Sequence, residues 1–120
     1  MSAAISGGGL MRDLRERLRA ACREVSRERL GHEPDPASLG WEPPPEARFG
    51  DLSTPVALRL ARVLRRPPLE IAGSLRDGLA SLRLPLVAEV TVSPPGFVNV
   101  VIDAGRLVDA VVRDVAASGD

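Results

Sequence analysis

The sequence predicts an α+β domain in which about four helices pack on one face of a small antiparallel sheet. Apolar residues recur at helical spacing over residues 10–30 and again after residue 55. From Leu84 onward the apolar period changes from helical to strand-like, and two such runs flank a short turn rich in proline. With 120 residues, the chain is long enough for one domain with a modest core.

The first helix is predicted over residues 10–30, after a flexible tail at residues 1–9 that ends in three glycines. Gly31 is a natural helix stop. Cys22 lies on or beside the apolar stripe, where its expected role is a small core filler. As the single cysteine of the chain, it excludes an internal disulfide and a cysteine-rich zinc site, and it fits a reducing cytosol. The stripe consists of Leu10, Leu14, Leu18, Ala21, Cys22 and Val25.

The middle of the chain combines an irregular segment with two helices. Residues 32–48 are rich in proline, so a short extended piece at 38–42 would be an edge strand, with Trp41 on the core. The stretch FGDLSTPV predicts a turn into a helix, with Ser53 or Thr54 as N-cap before a proline at the first helical position. The pair Pro67-Pro68 ends this helix and starts the third.

The end of the chain predicts a β-hairpin followed by a short amphipathic closing helix at residues 104–117, which completes a domain at 10–120. LPLVAEVTV and FVNVVID are its strands, and SPPG is its turn. Strand side chains alternate between faces. The β-branched Val98, Val100 and Ile102 therefore form the core face, and Phe97 and Asn99 share the other face, which we expect to be open.

The pair Phe97 and Asn99 has two interpretations. An exposed aromatic ring can stack on a splayed nucleobase while a nearby amide reads the edge of that base. Alternatively, Phe97 packs under a helix and Asn99 caps a neighbouring strand. The spacing of the two residues does not choose between these interpretations.

The net charge is zero, but its distribution is uneven, and all sixteen basic residues are Arg. Residues 1–31 carry seven Arg and four acids, and residues 54–83 carry six Arg and two acids. Basic helices suit an anionic partner such as RNA, because Arg pairs bidentately with phosphate. Solvated helix faces are the alternative. The second helix contributes Arg59, Arg62, Arg65 and Arg66 as candidate electrostatic contacts to RNA.

Residue patterns for catalysis, metal binding and membrane insertion are missing from the sequence. His32, the single histidine, lacks neighbours for a metal site or a catalytic base, and a phosphate-binding loop needs the Lys that this chain does not contain. No secretory signal precedes the first charges, and no apolar run approaches the roughly 18 residues of a membrane span. We therefore expect a protein without membrane or metal partners, without a cofactor and without catalytic residues of its own.

Two motifs together carry a family resemblance. FGDLSTPVALRLARVLRRPPLEIAGSL resembles the segment FGDYxxxxAxxLAKxLxxxPxxIAxxL of the N-terminal additional domain of arginyl-tRNA synthetases. At the matching separation, VAEVTVSPPGFVNVVID resembles the closing hairpin of that domain. The resemblance covers about residues 10–110. It implies a tRNA-recognition module of a cytoplasmic aminoacyl-tRNA synthetase, a ligase of protein biosynthesis.

The resemblance implies roles for individual residues. In this family the hairpin aromatic and the amide two residues later contact a nucleotide of the D loop, at the outer corner of the tRNA for arginine. These roles fall on Phe97 and Asn99, whereas a further family contact falls on Pro94, which has no side-chain donor. Gly50, Asp51 and Gly96 are implied to be architectural. Phe49 of the same FGD motif is a further candidate for RNA contact.

The catalytic domain of the family, which would bind ATP and arginine, has no counterpart in these 120 residues, because its signature needs two His. We therefore expect a tRNA-reading module that acts with a catalytic ligase domain or subunit, whether as a fragment or as a free-standing protein. The alternative is a protein-interaction or scaffolding domain that binds no RNA, with the closing helix as its contact surface.

Overall fold

The computed structural model describes residues 7–103 and Gly105. The first helix, α1, spans Gly7–Leu30, so it begins three residues before the expected position and includes part of the predicted tail. Residues 1–6 and the predicted closing helix at 104–117 lie outside the continuous described range. Gly31 ends α1 in the left-handed region at φ 67°, a conformation that glycine adopts without steric cost.

Two further helices follow the proline-rich segment. Helix α2 spans Val56–Leu64, and α3 spans Pro68–Ser81. Arg65 ends α2 in the left-handed region at φ 56°, and Pro67 precedes α3, as the sequence predicts. Pro55 occupies the N-cap position of α2 rather than its first turn.

The sheet has three antiparallel strands in the order β1–β3–β2. They are Leu52–Thr54, Val87–Ser93 and Phe97–Ile102, numbered β1 to β3 along the chain. The predicted hairpin is confirmed as β2 and β3. The third strand is β1, within the stretch that the sequence predicts to be a turn and a helix cap. The predicted edge piece at 38–42 contributes a single bridge, between Glu42 and Ser53.

The core lies between the sheet and the helices. Val98 and Val100 of β3 are fully buried there together with Trp41, and α2 and α3 both contact the strands. Helix α1 packs on α3, where Gly78 leaves no room for a Cβ because Val25 lies directly against it. Burial raises the pKa of the Cys22 thiol to about 12, so this cysteine is a core side chain in its neutral form. The α+β architecture with helices on one face of the sheet is confirmed.

Candidate nucleic-acid interface

The face of the sheet that points away from the helices is polar around the centre of β3. Asn99 is paired with Ser53 on β1 and with Thr91 on β2, and side chains of directly opposed residues share a face. Phe97 lies two residues before Asn99 and opposite Ser93, so both Phe97 and Ser93 are on this same face. We call this the outer face. It surrounds one amide with hydroxyl groups and places one aromatic ring beside it.

The proline-rich segment 43–50 crosses the outer face and forms a cavity of about 150 Å³ against it. This volume is below the roughly 300–1,000 Å³ of typical small-molecule sites, so the cavity suits a single ring system. We call it the outer-face cavity. The sheet and hairpin supply Ser53, Ser93, Pro94, Phe97 and Asn99, and the crossing segment supplies Pro44, Pro45, Glu46 and Phe49.

Asn99 lies at the base of the outer-face cavity and is almost completely buried, with 1% of its surface exposed. Its Nδ2 donates a hydrogen bond of 3.0 Å to the Ser93 Oγ. The predicted face of Asn99 is therefore correct, but the expectation that this face is open is wrong, because segment 43–50 covers it. The bond to Ser93 occupies one of the four hydrogen-bonding positions of the amide and orients its plane.

Both phenylalanines of the chain line the outer-face cavity, Phe49 from the crossing segment and Phe97 from β3. The Arg48 guanidinium stacks over the Phe49 ring, with its Cζ 4.8 Å from the ring centroid. The same guanidinium pairs with Glu46 at 3.1 Å. Among the described lining residues none is basic. The cavity therefore offers aromatic surface, neutral polar groups and the carboxylate of Glu46, which suit an uncharged base better than a phosphate.

Gly50 and Asp51 fix the strands beneath the cavity. Gly50 has φ 139°, and a Cβ there would lie 2.9 Å from the Val100 carbonyl oxygen, so only glycine fits this position without strain. The Asp51 Oδ2 accepts a hydrogen bond of 2.7 Å from the Ile102 N–H. Asp51 therefore holds the end of β3 rather than the start of α2. Both residues therefore contact the backbone of β3, and their architectural role stays a prediction.

Gly96 seats the hairpin turn on the junction between α2 and α3. A Cβ at Gly96 would lie 2.8 Å from the Pro68 Cβ and 3.2 Å from the Leu58 Cδ2. Arg62 follows Leu58 by one helical turn, so both residues lie on the same side of α2. This geometry places Arg62 on the side of α2 that the hairpin turn before Phe97 contacts.

The four candidate arginines differ in their ion pairing. Arg66 pairs with Glu70 at 2.6 Å. Arg59, Arg62 and Arg65 are exposed, and within residues 7–103 no acidic group lies within salt-bridge distance of them. Of the four candidate arginines, these three are the ones whose charge is not balanced by a nearby described carboxylate.

Other features of the described surface give weaker candidates. A hollow of about 230 Å³ lies between α1 and the segment around Pro36, but its two arginines are ion-paired, Arg19 to Glu16 at 3.3 Å and Arg23 to Glu33 at 4.0 Å. Within the described part of the chain, no cluster of three or more His, Cys, Asp or Glu could hold a metal ion. Nor does any helix described there have the length and apolar character that crossing a membrane requires.

A family model described as the arginyl tRNA synthetase N terminal domain matches residues 12–102. The chain belongs to the arginyl-tRNA synthetase N-terminal domain family. The resemblance seen in the FGD stretch and the closing hairpin is thereby confirmed. The matched range contains both phenylalanines, Asn99 and the whole outer-face cavity.

The chain is similar to part of the arginine–tRNA ligases of several organisms. An arginine–tRNA ligase of Solidesulfovibrio magneticus is 40% identical over 85 residues, which is 71% of this chain and 15% of the relative. That of Salinibacter ruber is 37% identical over 108 residues, covering 89% of this chain and 19% of the relative. The enzyme of Pyrococcus abyssi is 31% identical over 104 residues, covering 82% and 16%. The chain thus spans less than a fifth of the length of each of these relatives.

The sequence does not predict that Ser53, Ser93, Pro44 and Pro45 line the outer-face cavity. Ser53 and Ser93 are on the outer face because of the register of β1 and β2 against β3. A strand of only three residues gives no periodic signal by which β1 could be found. Pro44 and Pro45 reach the cavity through the path of an irregular segment, which no repeating pattern encodes.

Proposed function

We propose that this chain is a tRNA-binding module that reads one nucleotide in the D loop, at the outer corner of the tRNA for arginine. One observation carries the proposal: the only two phenylalanines of the chain meet in a single cavity together with the amide of Asn99. Aromatic rings supply stacking surface to any base, and an amide supplies both a donor and an acceptor to a base edge. The family relationship supports tRNA as the source of that base.

The unpaired arginines supply the second part of the proposed interface. Arg59 and Arg62 lie on α2 and Arg65 is its C-cap, and the hairpin turn contacts the same helix at Leu58. In this arrangement the base enters the outer-face cavity, and neighbouring phosphates contact the arginine side chains outside it. Phosphate contacts contribute affinity without base specificity and make it depend on salt.

The module supports arginylation when it is joined to a catalytic ligase domain, in the same chain or as a separate subunit. ATP and arginine then bind that catalytic domain, and the module itself needs no cofactor and no metal. The cytoplasm is the compartment in which we expect it to work. The alternative function is a protein-interaction domain without RNA binding; its proposed contact surface, the helix at 104–117, lies outside the described residues except for Gly105.

The first test measures binding of a fluorescent arginine tRNA transcript by anisotropy at low salt. We expect Phe97→Ala to weaken binding by about 1–3 kcal/mol, or roughly 5- to 150-fold, because a stacked base loses its platform. Leu82→Ala is the control, since Leu82 is an exposed apolar residue at the far end of α3. Absence of tRNA binding at low salt, or equal binding by Phe97→Ala and wild type, contradicts the proposal. Recovery of a protein partner without RNA supports the alternative.

The second test separates phosphate contacts from base contacts. The double variant Arg59→Gln with Arg62→Gln should reduce the slope of log K against log salt by about 1–2, since each phosphate contact contributes ~0.7–0.9. The control pair is Arg12→Gln with Arg17→Gln, two exposed arginines of α1 that make no salt bridge within residues 7–103. Equal slopes for the two double variants would show that the end of α2 is not the phosphate-binding surface.

A further inference from the structure

Ser53 carries a buried hydroxyl without a hydrogen-bond partner at the wall of the outer-face cavity. The residue is 5% exposed, and its Oγ makes no hydrogen bond within the described structure. A buried polar group without a partner is unfavourable. Such a group in a cavity wall is satisfied when a ligand with a polar edge enters.

The other buried hydroxyl groups of the described chain have partners, which makes Ser53 an exception. The Ser26 Oγ donates to the His32 carbonyl oxygen at 2.6 Å, and the Ser38 Oγ donates to that of Asp35 at 2.7 Å. The Thr54 Oγ1 accepts from the Val56 N–H, and the Ser93 Oγ accepts from Asn99. The two other buried atoms without partners, the Arg15 Nε and the Trp41 Nε1, do not line the cavity.

The sheet register places the side chains of Ser53 and Asn99 side by side in the wall of the outer-face cavity. The two residues are directly opposed on β1 and β3, so their side chains are neighbours on the outer face. On the other side of Asn99, Ser93 holds the amide through its Nδ2. A ring that stacks on Phe97 in this cavity therefore meets an oriented amide and a hydroxyl without a partner.

We propose that Ser53 is a specificity-determining residue whose hydroxyl hydrogen-bonds to the polar edge of the base held by Phe97 and Asn99. This inference rests on the proposed function, because it assumes that a base enters the outer-face cavity. A hydroxyl is both donor and acceptor, and here it adds a contact beside those of the amide. A base whose edge lacks a group at that point leaves the hydroxyl unsatisfied, and the site discriminates against such a base.

The experiment compares preferences among bases rather than affinity alone. Abasic replacement of each D-loop nucleotide in the arginine tRNA transcript first identifies the nucleotide on which wild-type binding depends most. Four transcripts with different bases at that position are then titrated against wild type, Ser53→Ala and Thr91→Ala. Thr91 is the matched control, because it flanks Asn99 on the other side and does not line the cavity.

We expect wild type to prefer one base and Ser53→Ala to reduce that preference by about three- to tenfold, the range of one neutral hydrogen bond. Thr91→Ala should keep the wild-type preference. Ser53→Cys, which retains the shape of the side chain with a weak donor, should lose preference in the same way as Ser53→Ala. An unchanged preference in Ser53→Ala, or equal weakening for all four bases, overturns the assignment of Ser53.

Phe97→Ala in the same titrations distinguishes the role of Ser53 from the binding of a base in the cavity. If Phe97→Ala weakens binding while Ser53→Ala keeps the wild-type preference, only the role of Ser53 is wrong. If Phe97→Ala has no effect, the cavity does not hold a base, and both proposals fail. Fluorescence of Trp41, the single and fully buried tryptophan, verifies that every variant is folded.

Discussion

The two faces of the three-stranded sheet are both covered, but by different parts of the chain. Helices α2 and α3 cover the inner face, where Leu52, Val98 and Val100 are buried among apolar side chains. Segment 43–50 covers the outer face, where Ser53 and Asn99 line a cavity. Apolar packing on the inner face stabilises the fold, whereas the outer face buries polar groups that contribute little to stability. This difference separates the residues that hold the domain together from those that are available to bind.

Leu52 and Ser53 give the largest expected contrast, because these neighbours on β1 are both buried and point to opposite faces. Leu52→Ala should lower the free energy of unfolding by about 2–5 kcal/mol through loss of apolar contacts and a residual cavity. Ser53→Ala should change it by less than about 0.5 kcal/mol, since the lost hydroxyl has no protein partner. Urea titration followed by Trp41 fluorescence measures both, and equal losses would remove the distinction between the faces.

Gly50 tests the connection between the two faces. Gly50→Ala should cost about 1–3 kcal/mol of stability because φ is 139° and the new Cβ would meet the Val100 carbonyl. It should also weaken tRNA binding, since relief of the 2.9 Å contact with the Val100 carbonyl oxygen would shift the strand that carries Asn99. Gly40→Ala is the matched control, because nothing lies within 4 Å of a Cβ there. Similar unfolding curves for the two variants would contradict the architectural role of Gly50.

Ser93 tests whether the orientation of the amide matters for binding. Ser93→Ala removes the acceptor of the Asn99 Nδ2 and should weaken tRNA binding by about 0.5–1.5 kcal/mol, the net value of one hydrogen bond. Anisotropy titration beside Thr91→Ala measures this effect. If both variants bind like wild type, the hydrogen bond to Ser93 does not position Asn99 for a ligand.

Ionisation of the Cys22 thiol gives the smallest expected effect on stability, because none is expected at neutral pH. Because burial raises the pKa of the Cys22 thiol from its ordinary value to about 12, the folded chain should resist thiol reagents at pH 8. The folded state binds the proton more tightly, so stability should fall as the pH rises from about 9 toward 12. Lys and Tyr are absent from the chain and do not mask this trend. In urea titrations over that range, the free energy of unfolding of wild type should fall with pH more than that of Cys22→Ala, which has no thiol. Rapid labelling of the thiol at pH 8 would contradict its burial.

The sequence predicts the inner face better than the outer face, for a physical reason. Alternation of apolar residues encodes which side of a strand meets the helices, and it assigns Val98 and Val100 correctly. The end of α1 at Gly31 and the start of α3 after Pro67 follow from local backbone chemistry. The cover of the outer face depends on the route of a proline-rich segment and on a three-residue strand. Neither has a repeating pattern, so the burial of Asn99 and the position of Ser53 required the three-dimensional structure.

We propose that the outer-face cavity holds one base of the tRNA, and a double-mutant cycle can show whether the Phe97 ring contacts that base. The cycle combines Phe97→Ala with an abasic site at the D-loop nucleotide on which binding depends most, and it measures all four dissociation constants at one salt concentration. If the ring and the base contact each other, either change alone costs about 1–3 kcal/mol, and Phe97→Ala costs almost nothing further on the abasic tRNA, because the base that stacks on the ring is already missing. Losses that simply add would show that Phe97 and that nucleotide do not meet, and they would contradict this account of the cavity.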